Sequence, residues 1–203
     1  MEKPAANTHP VHELIKRRWS PLAFSERRVE PEKLQSLFEA ARWAPSAYNE
    51  QPWRFIVCTR DRPADHQRFV GCLVEGNVPW AQHAPVLVLS VAKRQFSHNG
   101  TPNRHAWHDV GLAVENLILQ ATILGLFVHQ MGGFDPAKAR TAFGIPDEYE
   151  PVAAIAIGYP GEADTLPPPL RDRQLAPRSR KPLEALVFKG GWGQAASVVG
   201  RQS

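Results

Sequence analysis

Cysteine and methionine are scarce in this chain, two of each among 203 residues. Two thiols cannot build the disulfide framework of a small secreted domain. Cys58 falls in a run that reads as a buried strand, so both thiols are expected to be reduced. Long apolar runs are missing as well. No stretch approaches the roughly 18 residues of a membrane span, and Glu2, Lys3 and His9 stand where a secretory leader needs an apolar segment, so a soluble cytoplasmic protein is expected. Gly-x-Ser-x-Gly, the P-loop and Gly-x-Gly-x-x-Gly are all absent, which removes the motifs of α/β-hydrolases, P-loop NTPases and dinucleotide-binding Rossmann folds. His105-x-x-His108-Asp109 is the nearest approach to a metal site. On a helix, however, Asp109 turns about 100° away from its neighbouring histidine, so a helix N-terminus with solvated histidines is expected and no metal. Zinc-finger spacing, RNP-type aromatics and a recognition helix are also missing. The net charge of +4 and the cations between Arg171 and Lys181 are therefore read as serving an anionic small molecule and not nucleic acid.

What is present fits one domain, 1–203, with 160–203 as an extended arm rich in proline and charge. Helix and strand alternate without an internal repeat. Pro31 and Glu32 open a helix whose Leu34, Leu37, Phe38 and Ala41 recur at spacings of three and four. Trp53 to Thr59, Ala84 to Ala92, Phe127 to Met131 and Val152 to Tyr159 read as strands. Residues 62–75 read as helical, and Val110, Val114, Leu117, Ile118, Ala121 and Leu124 mark a buried central helix over about 105–125. Asp135 caps a further helix that starts at Pro136.

Between the first helix and the first strand lies the most distinctive stretch, Pro45-Ser46-Ala47-Tyr48-Asn49-Glu50-Gln51-Pro52-Trp53. Pro45 stops the helix, and Ser46, Asn49 and Gln51 offer donors and acceptors from a polar loop held between two packed elements, a cradle suited to a planar, heteroatom-rich ligand.

Read together with Arg18-Trp19-Ser20-Pro21-Leu22-Ala23-Phe24, Gln130-Met131-Gly132-Gly133-Phe134-Asp135 and Arg178-Ser179-Arg180, in that chain order, this loop resembles the nitroreductase family of FMN-dependent oxidoreductases. The resemblance runs from about Leu14 to about Phe188. It implies an α+β subunit with a central, mainly antiparallel sheet flanked by helices, paired as a homodimer in which the C-terminal arms wrap the neighbouring subunit.

The resemblance also implies a cofactor site. FMN needs fixed positive charge for its phosphate and neutral partners for its ring. By position, Arg18, Ser20, Arg178 and Arg180 hold the phosphate, with Trp19 and Leu22 in the same N-terminal element. Pro45, Ser46, Ala47 and Asn49 meet the flavin from the opposite subunit, and Asn77 lies near the ribityl chain and ring. Gln130, Gly132 and Gly133 border the ring, where the Gly133 N–H orients the reactive N5 edge. No side chain is required as acid or base. NADH or NADPH is the implied donor, and a nitroaromatic, quinone or other electron-poor small molecule the acceptor, exchanging by a ping-pong mechanism. A flavin-binding, flavin-processing or sensing protein on the same fold is the alternative. The family commonly places Arg or Lys at the position of Leu22. Loss of that cation is expected to lower the flavin potential unless Arg54 or Lys93 compensates.

Overall fold

The computed structural model describes residues 2–196, so the tip of the expected arm, 197–203, lies outside the described residues. Val86 to Ala92 is almost wholly aliphatic, the composition of a strand covered on both faces. The strand β2 (Val86–Lys93) is buried at every position except half-buried Lys93. It pairs with β1 (Trp53–Thr59) on one side and β4 (Tyr149–Gly158) on the other, and β3 (Phe127–Met131) pairs with β4. The order is β1-β2-β4-β3 and every neighbouring pair is antiparallel.

Alternate residues of β2 feed two cores. Val86 and Val88 face α2 (Pro31–Arg42) and α5 (Ala106–Ile123), packing with Leu37, Ala41, Val110, Ala113, Val114 and Leu117. Leu87 and Leu89 face the other side, where Phe69 of α3 (Pro63–Val70), Trp80 of α4 (Val78–Ala81) and Ala139 of α6 (Pro136–Phe143) close over them. The strand period of two thus meets helices on both faces. The central helix expected over 105–125 is α5. The predicted cap of α6 is also observed: the Asp135 carboxylate accepts the Lys138 N–H at 2.9 Å. The helix expected over 62–75 ends earlier, at Val70, where the chain turns through Gly71 and Cys72.

Three short helices lie outside the sequence expectations, α1 (Glu13–Arg17), α4 and α7 (Pro168–Leu175). Of these, α1 and α7 join the chain ends. Gln174 of α7 is 3% exposed, and its side-chain carbonyl accepts the Leu22 N–H at 2.7 Å and the Ala23 N–H at 3.1 Å. Beyond it, the Arg178 guanidinium donates to the carbonyls of Lys3 at 2.7 Å and Lys16 at 3.0 Å, while the Lys3 ammonium donates back to the carbonyls of Gln174 and Ala176. This part of the arm is anchored on its own chain. Farther along, Trp192 packs on Phe188 at 5.1 Å, and both Leu186 and Trp192 stay exposed among the described residues.

Replacing Gln174 with Ala strands two buried backbone donors. Unfolding in denaturant is expected to show a loss of about 2–4 kcal/mol.

A second tie joins α2 to the end of β4. The Tyr159 hydroxyl donates to Glu30 at 2.7 Å and accepts from Lys33 at 2.6 Å, while Arg27 pairs with Glu30 at 2.7 Å. The Tyr159 hydroxyl, assisted by the Glu30 main chain and Arg27, holds the Glu30 carboxyl at about 2, below its ordinary 4.5. A carboxyl depressed in the folded state stabilises it above the unfolded value and loses that contribution as pH falls through the folded one. The melting-temperature advantage of the wild type over Glu30→Gln is therefore expected to be steady above pH 4.5 and to shrink as pH approaches 2.

Candidate functional site

The starts of β1 and β4 and the ends of β2 and β3 lie at one end of the sheet, because the strands are antiparallel throughout. The 46–51 loop and the Gly132–Gly133 turn lie there, on two different edges, while Trp19 stands toward the other end of β3, beside Phe127. Along the β3 edge runs the N-terminal segment: Trp19 packs edge-on against Phe127 at 5.9 Å, and His129 bonds the Pro21 carbonyl at 2.7 Å. Burial, opposed by that bond, pushes the His129 imidazole below its ordinary value. Gln130 occupies the same strand, and Gly132 and Gly133 continue from its end.

The two glycines differ. A Cβ on Gly133 would lie 2.6 Å from the Asn77 amide nitrogen and 2.8 Å from a Val74 methyl, whereas one on Gly132 meets nothing within 4 Å. Close approach, and not a left-handed backbone, therefore requires glycine at 133. The Gly133 carbonyl accepts from the Asn77 amide at 2.9 Å and from the Val74 N–H at 3.1 Å, while its own N–H meets no backbone acceptor among the described residues. Asn77, expected near a ribityl chain, is thus seen first as the anchor of Gly133.

Arg18 and Arg180 both lie within electrostatic reach of Arg178. Burial, then the charges of Arg18 and Arg180, push the Arg178 guanidinium below its ordinary value, which places three cations in one neighbourhood. Arginine keeps its proton near neutrality, so the crowding is repulsion that a bound dianion would relieve. One nitrogen of Arg178 is committed to the Lys3 and Lys16 carbonyls, leaving half-buried Arg18, exposed Arg180 and exposed Ser20 the freer partners. Trp19 is 4% exposed, and its indole N–H is buried without a partner among the described residues. These features fit a phosphorylated ligand laid along the β3 edge.

Leu22 corrects an expectation. It is 3% exposed and packed in the core, so its side chain faces protein and no cation placed there would reach a ligand without being buried. The two cations named as conceivable compensators are engaged elsewhere: Arg54 bonds the Gln51 and Trp53 carbonyls, and Lys93 pairs with Glu50.

At the opposite edge, next to β1, sits the 46–51 loop. Tyr48, Asn49 and Gln51 have φ of 54°, 53° and 50°, and such left-handed non-glycine residues cost about 1–3 kcal/mol each. Several tethers hold them there. Ser46 Oγ accepts the Gln51 N–H at 3.0 Å. The Glu50 carboxylate accepts the Ser97 N–H at 3.0 Å and its hydroxyl at 2.6 Å, and these bonds with Lys93 overcome burial to keep it below its ordinary pKa. Asp109 accepts the Ala47 N–H at 3.0 Å. Pro45 and Asn49 are exposed, and Ser46 and Ala47 half-buried.

Strands β2 and β4 separate this loop from Gly133 within one chain. Three inter-strand steps put the two edges about 14 Å apart. Within one chain the loop and Gly133 therefore belong to two separate groups of candidate residues.

Sequence reasoning missed Asp109, Glu50 and Gln174 as site-building residues. The sequence reading places Asp109 at a helix N-terminus beside solvated histidines, and the structure buries it at 3% exposure. A signal was available: Asp109 lies between Ala106 and Ala113 on the apolar stripe of α5. Among the described residues, no group of three or more His, Cys, Asp or Glu side chains could hold a metal, and no helix is long and apolar enough to cross a membrane.

Residues 15–159 match the nitroreductase family. A protein named as a candidate NADH dehydrogenase/NAD(P)H nitroreductase from Archaeoglobus fulgidus is 30% identical over 152 residues, covering 72% of this chain and 83% of the relative. The solved structure of an oxidoreductase containing FMN superposes with a TM-score of 0.88 at 37% identity, covering 93% of this chain and 96% of that one. A nitroreductase family protein from Clostridium difficile superposes with a TM-score of 0.68 at 26% identity, covering 88% and 96%.

Gly133→Ala is expected to displace Asn77 and cost about 1–3 kcal/mol by thermal or chemical unfolding. Gly132→Ala should stay within about 0.5 kcal/mol of the wild type.

Proposed function

The chain belongs to the nitroreductase family, and on that premise we propose that it is an NAD(P)H-dependent FMN oxidoreductase acting as a homodimer on electron-poor small molecules. The observation that carries this reading is the division of the site. The anion-suited half lies along the β3 edge and the polar loop half beside β1, and a second copy of the chain is what can bring the two together.

Support for pairing comes from the surface. Trp43, Tyr48 and Trp107 are 72%, 85% and 57% exposed, a concentration of aromatic area near the loop and the start of α5 that a partner would cover. The exposed Leu186 and Trp192 of the distal arm fit the exchange of arms between subunits.

Bound FMN would supply the electron-transfer chemistry, taking hydride from NADH or NADPH and passing reducing equivalents to a nitroaromatic, quinone or related acceptor. The protein's own residues bind and orient. Arg18, Ser20 and Arg180 would hold the phosphate, with Arg178 bracing them from the Lys3 and Lys16 carbonyls. Gly133, fixed by Asn77, would offer its N–H to the ring edge, with Gln130 and Gly132 beside it. Pro45, Ser46, Ala47 and Asn49 would complete the ring pocket from the other subunit. Donor and acceptor would take turns at one opening, the basis of a ping-pong exchange, and no side chain need act as acid or base.

The purified protein is expected to bind one FMN per subunit, to bleach anaerobically with NADH or NADPH and to recover colour when an acceptor is added. Arg180→Ala should weaken FMN binding about 10- to 100-fold in a fluorescence titration. Failure of the wild-type protein to take up FMN on reconstitution would sink the reading. Uptake without reduction by either nicotinamide would favour a flavin-binding or flavin-processing role.

A further inference from the structure

Among the tethers of the 46–51 loop, one comes from the core. Asp109 stands on the stripe of α5 that carries Ala106, Val110 and Ala113 inward. It is 3% exposed, and one carboxylate oxygen accepts the Ala47 N–H at 3.0 Å while the other lies 3.2 Å from His108 Nδ1. A carboxylate is costly in an apolar stripe unless it is hydrogen-bonded. Here its main-chain partner is not on its own helix but in a loop far away in sequence. The remaining tethers are internal to the loop, reach β1, or join it to Lys93 and Ser97 at the end of β2 and just beyond. Among the described residues, Asp109 alone hydrogen-bonds it to the central helix.

The bonded position matters. Ala47 sits between Ser46 and the left-handed pair Tyr48 and Asn49, so the Asp109 bond holds the loop where its backbone leaves extended geometry. Free of such a hold, three left-handed non-glycine residues would relax toward commoner conformations.

We propose that Asp109 is a positioning residue: by accepting the Ala47 N–H it sets the Pro45–Asn49 loop in the shape that receives the ring of a flavin bound to the partner subunit. The proposal rests on the function given above, and it adds a residue that never touches the cofactor.

The test uses full-length protein in four forms: wild type, Asp109→Ala, Asp109→Asn and Ala47→Pro. FMN affinity is measured by fluorescence titration, and Ala47 amide exchange is followed in the apo protein of the three forms that retain that amide. Asp109→Ala is expected to weaken FMN binding about tenfold and to speed Ala47 exchange. Asp109→Asn keeps an acceptor oxygen and should restore both. Ala47→Pro deletes the donor while leaving Asp109, and Ser46 already has the extended geometry, φ −147° and ψ 154°, that a residue before proline prefers. It should reproduce the weakened binding.

Wild-type affinity in Asp109→Ala together with unchanged exchange would overturn the proposal, as would an Asp109→Asn variant no better than Ala. Should Asp109→Ala fail to fold, Asp109→Asn and Ala47→Pro decide: retained affinity in the first and lost affinity in the second support it, and any other pair refutes it. A wild-type protein that takes up no FMN would defeat the functional reading, and the exchange at Ala47 would still judge Asp109.

Discussion

The candidate site depends on the joining of the two chain ends. Gln174 gives one carbonyl oxygen to two buried N–H groups near residue 22, and Arg178 spans the Lys3 and Lys16 carbonyls. Each bond is modest by itself. Together they hold Arg178 beside both Arg18 and Arg180, so three guanidinium groups share one neighbourhood although their mutual repulsion opposes it. Hydrogen bonds to neutral carbonyls do the gathering.

The sheet decides the rest of the geometry. Strand β2 is buried on both faces, so helices must cover both sides, and ligand-facing groups are left to the ends and edges of the strands. With β2 and β4 in the middle, the loop before β1 and the glycines after β3 fall on opposite edges. The separation is a matter of strand spacing and cannot be closed by moving side chains. It keeps the loop and Gly133 apart within one chain. The cost of the left-handed residues is matched by the number of tethers upon the loop.

Local patterns were legible where one period dominated. The aliphatic run of β2, the apolar stripe of α5 and the Asp135-Pro136 start of α6 each announce themselves, and the structure places them close to where those patterns predict. The helices α1 and α7 were not legible. α1 has no buried residue and α7 buries only Gln174, so neither carries an apolar stripe, and they hold their places through side chain to main chain bonds across the molecule. Leu22 shows the complementary failure, since its place in a motif suggested a ligand-facing position while its apolar side chain turned into the core.

By itself the amino-acid order determined the four strands and the helices α2, α3, α5 and α6, the two-faced burial of the central strand and the residue kinds available to a phosphate and a planar ring, because periodicity, turn chemistry and charge are local properties. Tertiary structure alone decided that Arg18 and Arg180 both lie near Arg178, that Asp109 grips Ala47, and that the loop and Gly133 sit on opposite edges. Those facts depend on which strands neighbour one another and which distant groups come within about 3 Å, a distance set only once the whole chain has packed.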